Sequence, residues 1–174
     1  KPLINRPSEK EQSLYVLAYP LGNPSLVQRY SQDRNLDPSL LFALILEESR
    51  YQVQAVSPAG ARGLMQVMPQ TGRQIAKELK IRRFSEGQLF DPAVNIRLGR
   101  WYFARMLEEF GGKVHLALAA YNAGPHMVRK WLAAARSSAE DEFVENIPYT
   151  ETRNYVIRVL GSAQVYRFLY WPQP

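Results

Sequence analysis

The chain of 174 residues is about one domain long, and 46% of its residues are hydrophobic while 22% are charged, a balance that excludes a disordered protein. Cysteine is absent, which excludes a disulfide framework, a thiolate metal site and a nucleophilic cysteine. The formal net charge of +6 favours an anionic polymer as partner, of which nucleic acid is one kind. No apolar run approaches the roughly 20 residues that span a bilayer, so this segment encodes no membrane anchor of its own.

The first residues predict a lead-in to the main domain. The chain starts at Lys1 without an initiating methionine or a signal-like segment, so we expect a piece excised from a longer protein. Residues 1–34 are predicted as an irregular start followed by two helices, over 12–19 and from Pro24 to about Arg34. Residues 35–174 are predicted as the main domain, with both parts forming one unit.

A pair of glutamates ends the most apolar helix of the sequence. Asp37-Pro38 predicts the helix start, and the segment 40–46, LLFALIL, is apolar on every side, as in a helix packed all round. Glu47 and Glu48 follow directly. Burial and the helix C-terminus both raise the pKa of a carboxyl there, as a general acid requires. The alternative is that both pair with Arg50 or with solvent.

The next segment indicates a turn beside a mixed apolar and polar surface. Residues 57–63, SPAGARG, contain two glycines and a proline, so the backbone turns tightly and can approach a ligand closely. Met65, Gln66 and Met68 then provide two thioethers and one amide. Such a surface suits a sugar ring that carries an N-acetyl group.

The remaining chain predicts further helices and no strand. Alternation with a period of two does not persist anywhere, so the fold class is all-α. The predicted elements are a helix over 69–79, a helical turn over 85–90, a long helix from Asp91-Pro92 to Gly111, helices over 114–121 and 125–135, a polar break over 137–142, a turn-rich block over 143–149 and a last helix over 150–170.

Three features of these helices have competing interpretations. The aromatic run Trp101-Tyr102-Phe103 fits a core contact better than a sugar platform, because it lies on a stripe at helical spacing. His115 and His126 make a poor metal constellation, so we predict no metal site. Tyr121 and Asn122 fit two structures equally well: a helix C-cap made by the asparagine, or a phenol and an amide that line a cleft.

Four sequence blocks together resemble one enzyme family. They are Glu48-Ser49, SPAGARGLMQxMP over 57–69, AYNAGP over 120–125 and FVExIPYxETRxYV over 143–156. In this order they resemble the catalytic domain of the soluble lytic transglycosylases, which act on the bacterial cell wall and have a helical fold related to goose-type lysozyme. The resemblance extends from about Asn35 to Tyr170.

The resemblance implies a peptidoglycan lytic transglycosylase with one catalytic acid. Glu48, as the glutamate before the serine, would protonate the β-1,4 bond between N-acetylmuramic acid and N-acetylglucosamine and then, as a base, close a 1,6-anhydro ring. The substrate's acetamido group would replace a second carboxylate. The substrate-binding residues implied are Ser57, Met65, Gln66, Met68, Thr71, Tyr121, Asn122 and Glu145.

The resemblance also implies a cellular location and a binding partner. The protein would work on peptidoglycan glycan strands in the periplasm or cell envelope of a bacterium, as a monomer and without a cofactor or metal. Its alternatives are a muramidase that hydrolyses the same bond and a wall-binding module without catalysis. A nucleic-acid-binding domain is disfavoured, because the basic residues are scattered and no nucleic-acid-binding motif occurs.

Overall fold

The computed structural model describes residues 9–32, 36–135 and 139–171. Within these ranges the chain forms nine α-helices and one 3₁₀ helix, η1. They are α1 (Glu9–Ala18), α2 (Pro24–Gln32), α3 (Pro38–Ser49), α4 (Pro69–Glu78), η1 (Glu86–Phe90), α5 (Pro92–Glu109), α6 (Val114–Ala123), α7 (Pro125–Ala134), α8 (Glu140–Glu145) and α9 (Thr150–Tyr170). The described residues contain two isolated bridges, Val56 with Arg62 and Arg62 with Val67, and no strand. The all-α prediction is confirmed.

Local sequence signals set the helix starts. Asp37 Oδ1 accepts the Ser39 N–H at 2.9 Å, and Pro38 occupies the first turn of α3. Asp91 Oδ1 likewise accepts the Val94 N–H at 2.9 Å before α5. Each carboxylate satisfies a backbone N–H that has no partner within its helix, so these predicted starts are confirmed.

Helix α3 forms the centre of the core. Its residues 40–45 are all buried, as the apolar run predicts. Helix α9 packs against both α3 and α6, and α2 also packs against α3. Leu40 to Ile45 therefore bury apolar surface in several directions, which holds the end of α3 in a fixed position.

The segment 139–149 differs from the prediction. A polar break and a turn-rich block were expected there, but Glu140–Glu145 forms the short helix α8. Three acidic residues lie in its first turn, where the positive end of the helix dipole favours negative charge. Ser137 and Ser138, which begin the predicted break, lie outside the described residues together with Arg136, as do residues 1–8 and the proposed domain boundary at 33–35.

The aromatic run of α5 packs inward in part. Phe103 is buried, and Trp101 and Tyr102 are partly buried against the core. Tyr102 contacts Tyr121, with ring centroids 5.4 Å apart. The core interpretation therefore holds for Phe103, whereas Tyr102 lies against a predicted site residue.

The structure also bears on the expectations about a metal site and about a membrane-spanning segment. His115 is buried, and its Nδ1 lies 3.0 Å from Glu140 Oε1, while His126 is exposed. Within the described ranges, no group of three acidic, histidine or cysteine side chains is placed to hold a metal ion. None of the described helices is both long and apolar enough to cross a membrane.

Candidate active site

Glu48 lies in the last turn of α3 and meets a tyrosine from α9. The Tyr155 hydroxyl donates a hydrogen bond to Glu48 Oε1 at 2.6 Å. The next residue fixes the helix end, because the Ser49 hydroxyl donates to the Leu64 carbonyl at 2.8 Å. The Glu48-Ser49 pair therefore joins the acid to both α9 and the loop that follows α3.

The surroundings of Glu48 favour its neutral form. Burial raises the pKa of Glu48 from 4.5 to about 7, the hydrogen bond from Tyr155 opposes this rise, and the negative charge of Glu47 adds to it. Burial is the largest of the three causes. Near neutral pH the protonated and ionised forms of Glu48 are therefore both populated. This suits a group that must first donate a proton and then accept one.

Glu47 has different partners from its neighbour. Its Oε2 accepts from Arg158 Nε at 3.0 Å, and its Oε1 accepts from the Ser162 hydroxyl at 2.9 Å, both on α9. Its partner is thus Arg158 rather than Arg50. Because both carboxylate oxygens are engaged, Glu47 is held as a structural ion pair, and Glu48 is the acid available for chemistry.

The loop between α3 and α4 is held by its own backbone and by Ser57. The Ser57 hydroxyl accepts the Ala61 N–H at 3.0 Å, and the Ser57 N–H donates to the Ala61 carbonyl. Gly63 has a φ of +75°, and a Cβ on it would lie 2.2 Å from the Leu89 carbonyl oxygen. The predicted tight turn is present, and at Gly63 only glycine fits.

Asn95 anchors this loop from α5, a role that the sequence did not reveal. Its side chain is fully buried, and Oδ1 accepts the Met65 N–H at 2.7 Å. Its Nδ2 donates to the carbonyls of Arg62 and Leu89, at 2.8 and 2.7 Å. One buried amide therefore satisfies three backbone groups around the segment that carries Gln66.

The structure separates the two predicted thioethers. Met65 is fully buried, and a Cβ on Gly99 would lie 2.6 Å from its own Cβ. The expectation that its thioether lines a cleft does not fit this position, because the core already surrounds the side chain. Met68 is 41% exposed at the N-terminus of α4, and Thr71 is partly buried in the following turn.

Gln66 adopts an unusual backbone conformation that its own side chain supports. Its φ is +48°, in the left-handed region. Its Nε2 donates to the Gly63 carbonyl at 2.9 Å and to the Ala55 carbonyl at 3.3 Å. The amide nitrogen thus belongs to the loop, and only the carbonyl oxygen is left to meet a ligand.

Tyr121 and Asn122 end α6 beside this loop. The Tyr121 hydroxyl donates to the Met65 carbonyl at 2.7 Å, and burial, followed by the charge of Glu48, raises the pKa of Tyr121 well above its ordinary value. Asn122 is exposed, and its Oδ1 accepts from the Thr152 hydroxyl at 2.7 Å. Gly124, with a φ of +90°, caps α6, so the alternative in which Asn122 forms the C-cap is wrong.

Glu145 lies apart from these contacts. It is exposed at the end of α8, and its backbone carbonyl accepts from Arg153 at 3.3 Å. A cavity of about 470 Å³ lies nearby and is lined by Trp131, Ala134, Ala135, Glu142, Phe143, Asn146 and Pro148. Although a cavity is the usual first candidate for a ligand site, its described lining includes neither Glu48 nor any predicted site residue. This cavity is therefore separate from the contacts around Glu48.

Comparison with known proteins identifies the family. The model of the transglycosylase SLT domain matches residues 25–144. The chain belongs to this family. The soluble lytic murein transglycosylase of Escherichia coli (strain K12) is 40% identical over 159 residues, which are 90% of this chain and 24% of that protein. A putative soluble lytic murein transglycosylase of Haemophilus influenzae is 37% identical over 79% of this chain and 23% of its own length.

Solved structures share the fold of this SLT domain. An inactive mutant of lytic transglycosylase Slt from Pseudomonas aeruginosa matches with a TM-score of 0.85 and 41% identity, over 91% of this chain and 26% of that one. The 70 kDa soluble lytic transglycosylase of Escherichia coli matches with a TM-score of 0.83 and 37% identity, over the same 91% and 26%. The predicted lysozyme-like helical fold is confirmed. The chain spans about a quarter of the length of these relatives.

Two further residues of the SLT domain site were not identified from sequence. Tyr155 was given no functional role from the sequence, yet its hydroxyl donates a hydrogen bond to Glu48. Thr152 received no role, although it holds Asn122. Both residues lie in the block 143–156, one of the four that carry the family resemblance, so this block could have marked them as candidates. The sequence of the block does not reveal that Tyr155 contacts Glu48 or that Thr152 contacts Asn122.

Proposed function

We propose that this SLT domain is the catalytic part of a peptidoglycan lytic transglycosylase. It would cleave the β-1,4 bond between N-acetylmuramic acid and N-acetylglucosamine and leave a 1,6-anhydromuramic end. The observation that carries the proposal is Glu48, a desolvated carboxyl with a pKa of about 7 and a tyrosine hydroxyl on its Oε1. The names of the relatives, lytic murein transglycosylases, point to the same reaction.

In the first step Glu48 acts as a general acid. Its proton goes to the glycosidic oxygen while the bond from that oxygen to C1 of the muramic acid breaks. The leaving sugar takes the bonding electron pair, and positive charge develops at C1. A donor with a pKa near the working pH serves this step better than an ordinary glutamic acid, which is ionised at neutral pH.

In the second step Glu48 acts as a general base. The carboxylate left by the first step accepts the Tyr155 hydrogen bond at 2.6 Å, which stabilises its charge. It then removes the proton of the substrate's 6-hydroxyl while O6 bonds to C1 and closes the anhydro ring. Glu48 ends protonated, as it began, and no water is consumed.

The environment of Glu47 indicates that the positive charge at C1 is stabilised by the substrate itself and not by a second carboxylate. Within the described part of the chain, Glu47 is the only carboxylate whose charge affects the Glu48 pKa. Its two oxygens are engaged by Arg158 and Ser162. Since retaining glycosidases otherwise use a second carboxylate as nucleophile, the acetamido group of the muramic acid is the better candidate to stabilise C1.

The remaining contacts are proposed from the exposure and free polar atoms of the predicted site residues. We assign substrate positioning to the exposed amide of Asn122, the Gln66 carbonyl oxygen and the exposed Met68 thioether. Ser57, Thr71 and Glu145 are proposed as further contacts. Met65 is proposed instead to support the loop from the core, with its carbonyl holding Tyr121. The enzyme would act on glycan strands in the cell envelope, as a monomer.

Digestion of purified peptidoglycan with mass analysis of the fragments tests the proposal. The wild type should release fragments with anhydro ends, and Glu48→Gln should lower the rate by ~100-fold or more, because a general acid contributes that much. Glu151→Gln, which removes an exposed glutamate on α9, should keep the wild-type rate. Full activity of Glu48→Gln would overturn the assignment. Fragments with reducing muramic ends would indicate a hydrolase, and binding without any cleavage would indicate a wall-binding module.

A further inference from the structure

Helix α4 and the turn that follows it concentrate the positive charge of the protein. Residues 69–83 contain one acidic residue, Glu78, and five basic ones: Arg73, Lys77, Lys80, Arg82 and Arg83. This segment therefore has a net charge of +4, out of +6 for the whole chain. The cleavage chemistry at Glu48 uses none of these side chains, so it leaves their charge without a function.

Two charges of this segment are balanced within the fold, and four are not. Arg73 pairs with Glu86, and Glu78 pairs with Arg105 of α5 at 3.3 Å. The other four cations are exposed, and none of them has an acidic partner in the part of the chain that the structure describes. These four form the basic strip: Lys77, Lys80, Arg82 and Arg83. Their charge is available to an external anion.

The backbone of the turn fixes the place of the strip. The Ile81 N–H donates to the Ala76 carbonyl at 2.8 Å, which closes the end of α4. Lys80 and Arg83 have φ values of +53° and +55°, in the left-handed region that glycine occupies most readily. A side chain at such a position is unfavourable for the backbone. A lysine and an arginine there indicate that their charge serves something other than the fold.

The strip begins on the helix that borders the predicted cleft. Arg73 and Lys77 are four residues apart and lie on one face of α4, and Lys80 follows at its end. The other end of α4 carries Met68 and Thr71, both proposed substrate contacts. Ten residues make this helix about 15 Å long, and five extended peptide residues span about 17 Å. A peptide attached to a sugar in the cleft can therefore reach the strip.

We propose that the basic strip is a second binding surface, outside the cleft, for the carboxylates of the peptides that peptidoglycan carries. This inference rests on the proposed function. Ammonium and guanidinium groups donate to carboxylates, and the guanidinium groups of Arg82 and Arg83 can each bind one with two hydrogen bonds. An anionic lipid surface would attract the same charges, but the peptides belong to the polymer that the cleft would hold, and α4 connects the two places.

The strip should act through many weak contacts rather than one strong one. An exposed ion pair typically changes an affinity ~1.5- to 5-fold. Salt weakens such pairs, because the screening length falls from about 10 Å at 0.1 M to about 3 Å at 1 M. The part of the peptidoglycan affinity that the strip supplies should therefore be lost at high salt.

Binding to purified peptidoglycan in a Glu48→Gln background tests the strip without turnover. Lys80→Gly with Arg83→Gly removes two charges and places glycine at two left-handed positions. This variant should unfold at no lower urea concentration than its parent, because relief of backbone strain offsets the greater freedom of glycine in the unfolded chain. Its affinity for peptidoglycan should nevertheless fall ~2- to 20-fold at about 0.1 M salt and match that of the parent at about 1 M.

A control variant separates the strip from net charge. Arg29→Gln with Lys130→Gln removes the same number of charges from exposed positions on α2 and α7. It should keep the affinity of the parent at both salt concentrations. A loss as large as that of the glycine variant would show that net charge alone attracts the polymer, which would overturn the strip as a site.

Peptidoglycan without its negative charge tests the identity of the anion. Conversion of the carboxylates to methylamides keeps the polymer and removes that charge. The parent should bind this polymer less tightly than the native one, and the glycine variant should lose no further affinity on it. Vesicles of phosphatidylglycerol test the membrane alternative with the same two proteins.

The outcomes separate this inference from the proposed function. An unchanged affinity of the glycine variant for native peptidoglycan, or an equal loss on the native and the neutralised polymer, would overturn the strip as a peptide-binding surface and leave the cleavage chemistry intact. Binding that depends on the strip with vesicles but not with peptidoglycan would overturn it in favour of a membrane surface. Full activity of Glu48→Gln in the digestion would instead overturn the proposed function.

Discussion

Replacing Glu48 by glutamine should make the folded protein more stable at alkaline pH. The folded state raises the pKa of this carboxyl from 4.5 to about 7, chiefly through burial. A carboxyl with a raised pKa lowers stability wherever the unfolded chain has already ionised. Glutamine has the same shape and cannot ionise, so Glu48→Gln removes this pH-dependent cost. We expect the variant to gain stability relative to the wild type as the pH rises.

The size of the gain follows from the pKa. Each tenfold change in proton affinity corresponds to 1.36 kcal/mol, so a move from 4.5 to about 7 corresponds to about 3 kcal/mol. Below pH 4 the carboxyl is protonated in both states, and this term is absent. The cost develops between pH 4.5 and 7 and is complete by about pH 8. The difference between variant and wild type should therefore grow by up to about 3 kcal/mol over this range.

Urea unfolding at several pH values measures this difference. Both proteins are unfolded at pH 4, 5, 6, 7 and 8, and the free energies of unfolding are subtracted at each pH, which cancels all other titrating groups. Glu151→Gln controls for loss of a surface charge. A difference between Glu48→Gln and wild type that is constant from pH 4 to pH 8 would refute a raised pKa at Glu48, and with it the physical basis of the acid assignment.

Three further variants test the contacts around the acid. Tyr155→Phe removes the hydrogen bond that favours the charged form of Glu48, so the alkaline limb of kcat/KM against pH should move to higher pH; a shift to lower pH would contradict this. Glu47→Gln removes a negative charge that raises the same pKa, so that limb should move the opposite way. Asn95→Ala leaves three backbone partners unsatisfied and should cost about 2–4 kcal/mol in urea unfolding. A loss below 1 kcal/mol would show that water replaces these bonds.

Local signals made much of the fold predictable. The starts of α3 and α5 were predictable because an aspartate and a proline act on their own first turn. The buried run 40–45 was predictable because it is apolar on every side. The helix α8 was missed, since a six-residue segment with four acidic side chains also fits a polar break and is too short to show hydrophobic periodicity.

Contacts between distant residues were not predictable from the sequence alone. The motif predicts Glu48 as the acid, but its hydrogen-bond partner Tyr155 is 107 positions away. Asn95 lies 30 positions from Met65 and near the start of α5, where an asparagine gives no sign of such a distant contact. The burial of Met65 was likewise hidden, because a methionine in a loop motif fits a ligand contact as well as a core contact.

The two adjacent glutamates show how the fold assigns different roles to the same side chain. Consecutive residues of an α-helix point about 100° apart, since a turn contains 3.6 residues. Glu47 therefore faces Arg158 and Ser162 on α9, while Glu48 faces Tyr155 on the same helix. Arg158 forms an ion pair with Glu47, whereas the hydroxyl of Tyr155 brings no positive charge to Glu48. The negative charge of Glu47 raises the Glu48 pKa, so the doubled glutamate helps to keep Glu48 protonated near neutral pH.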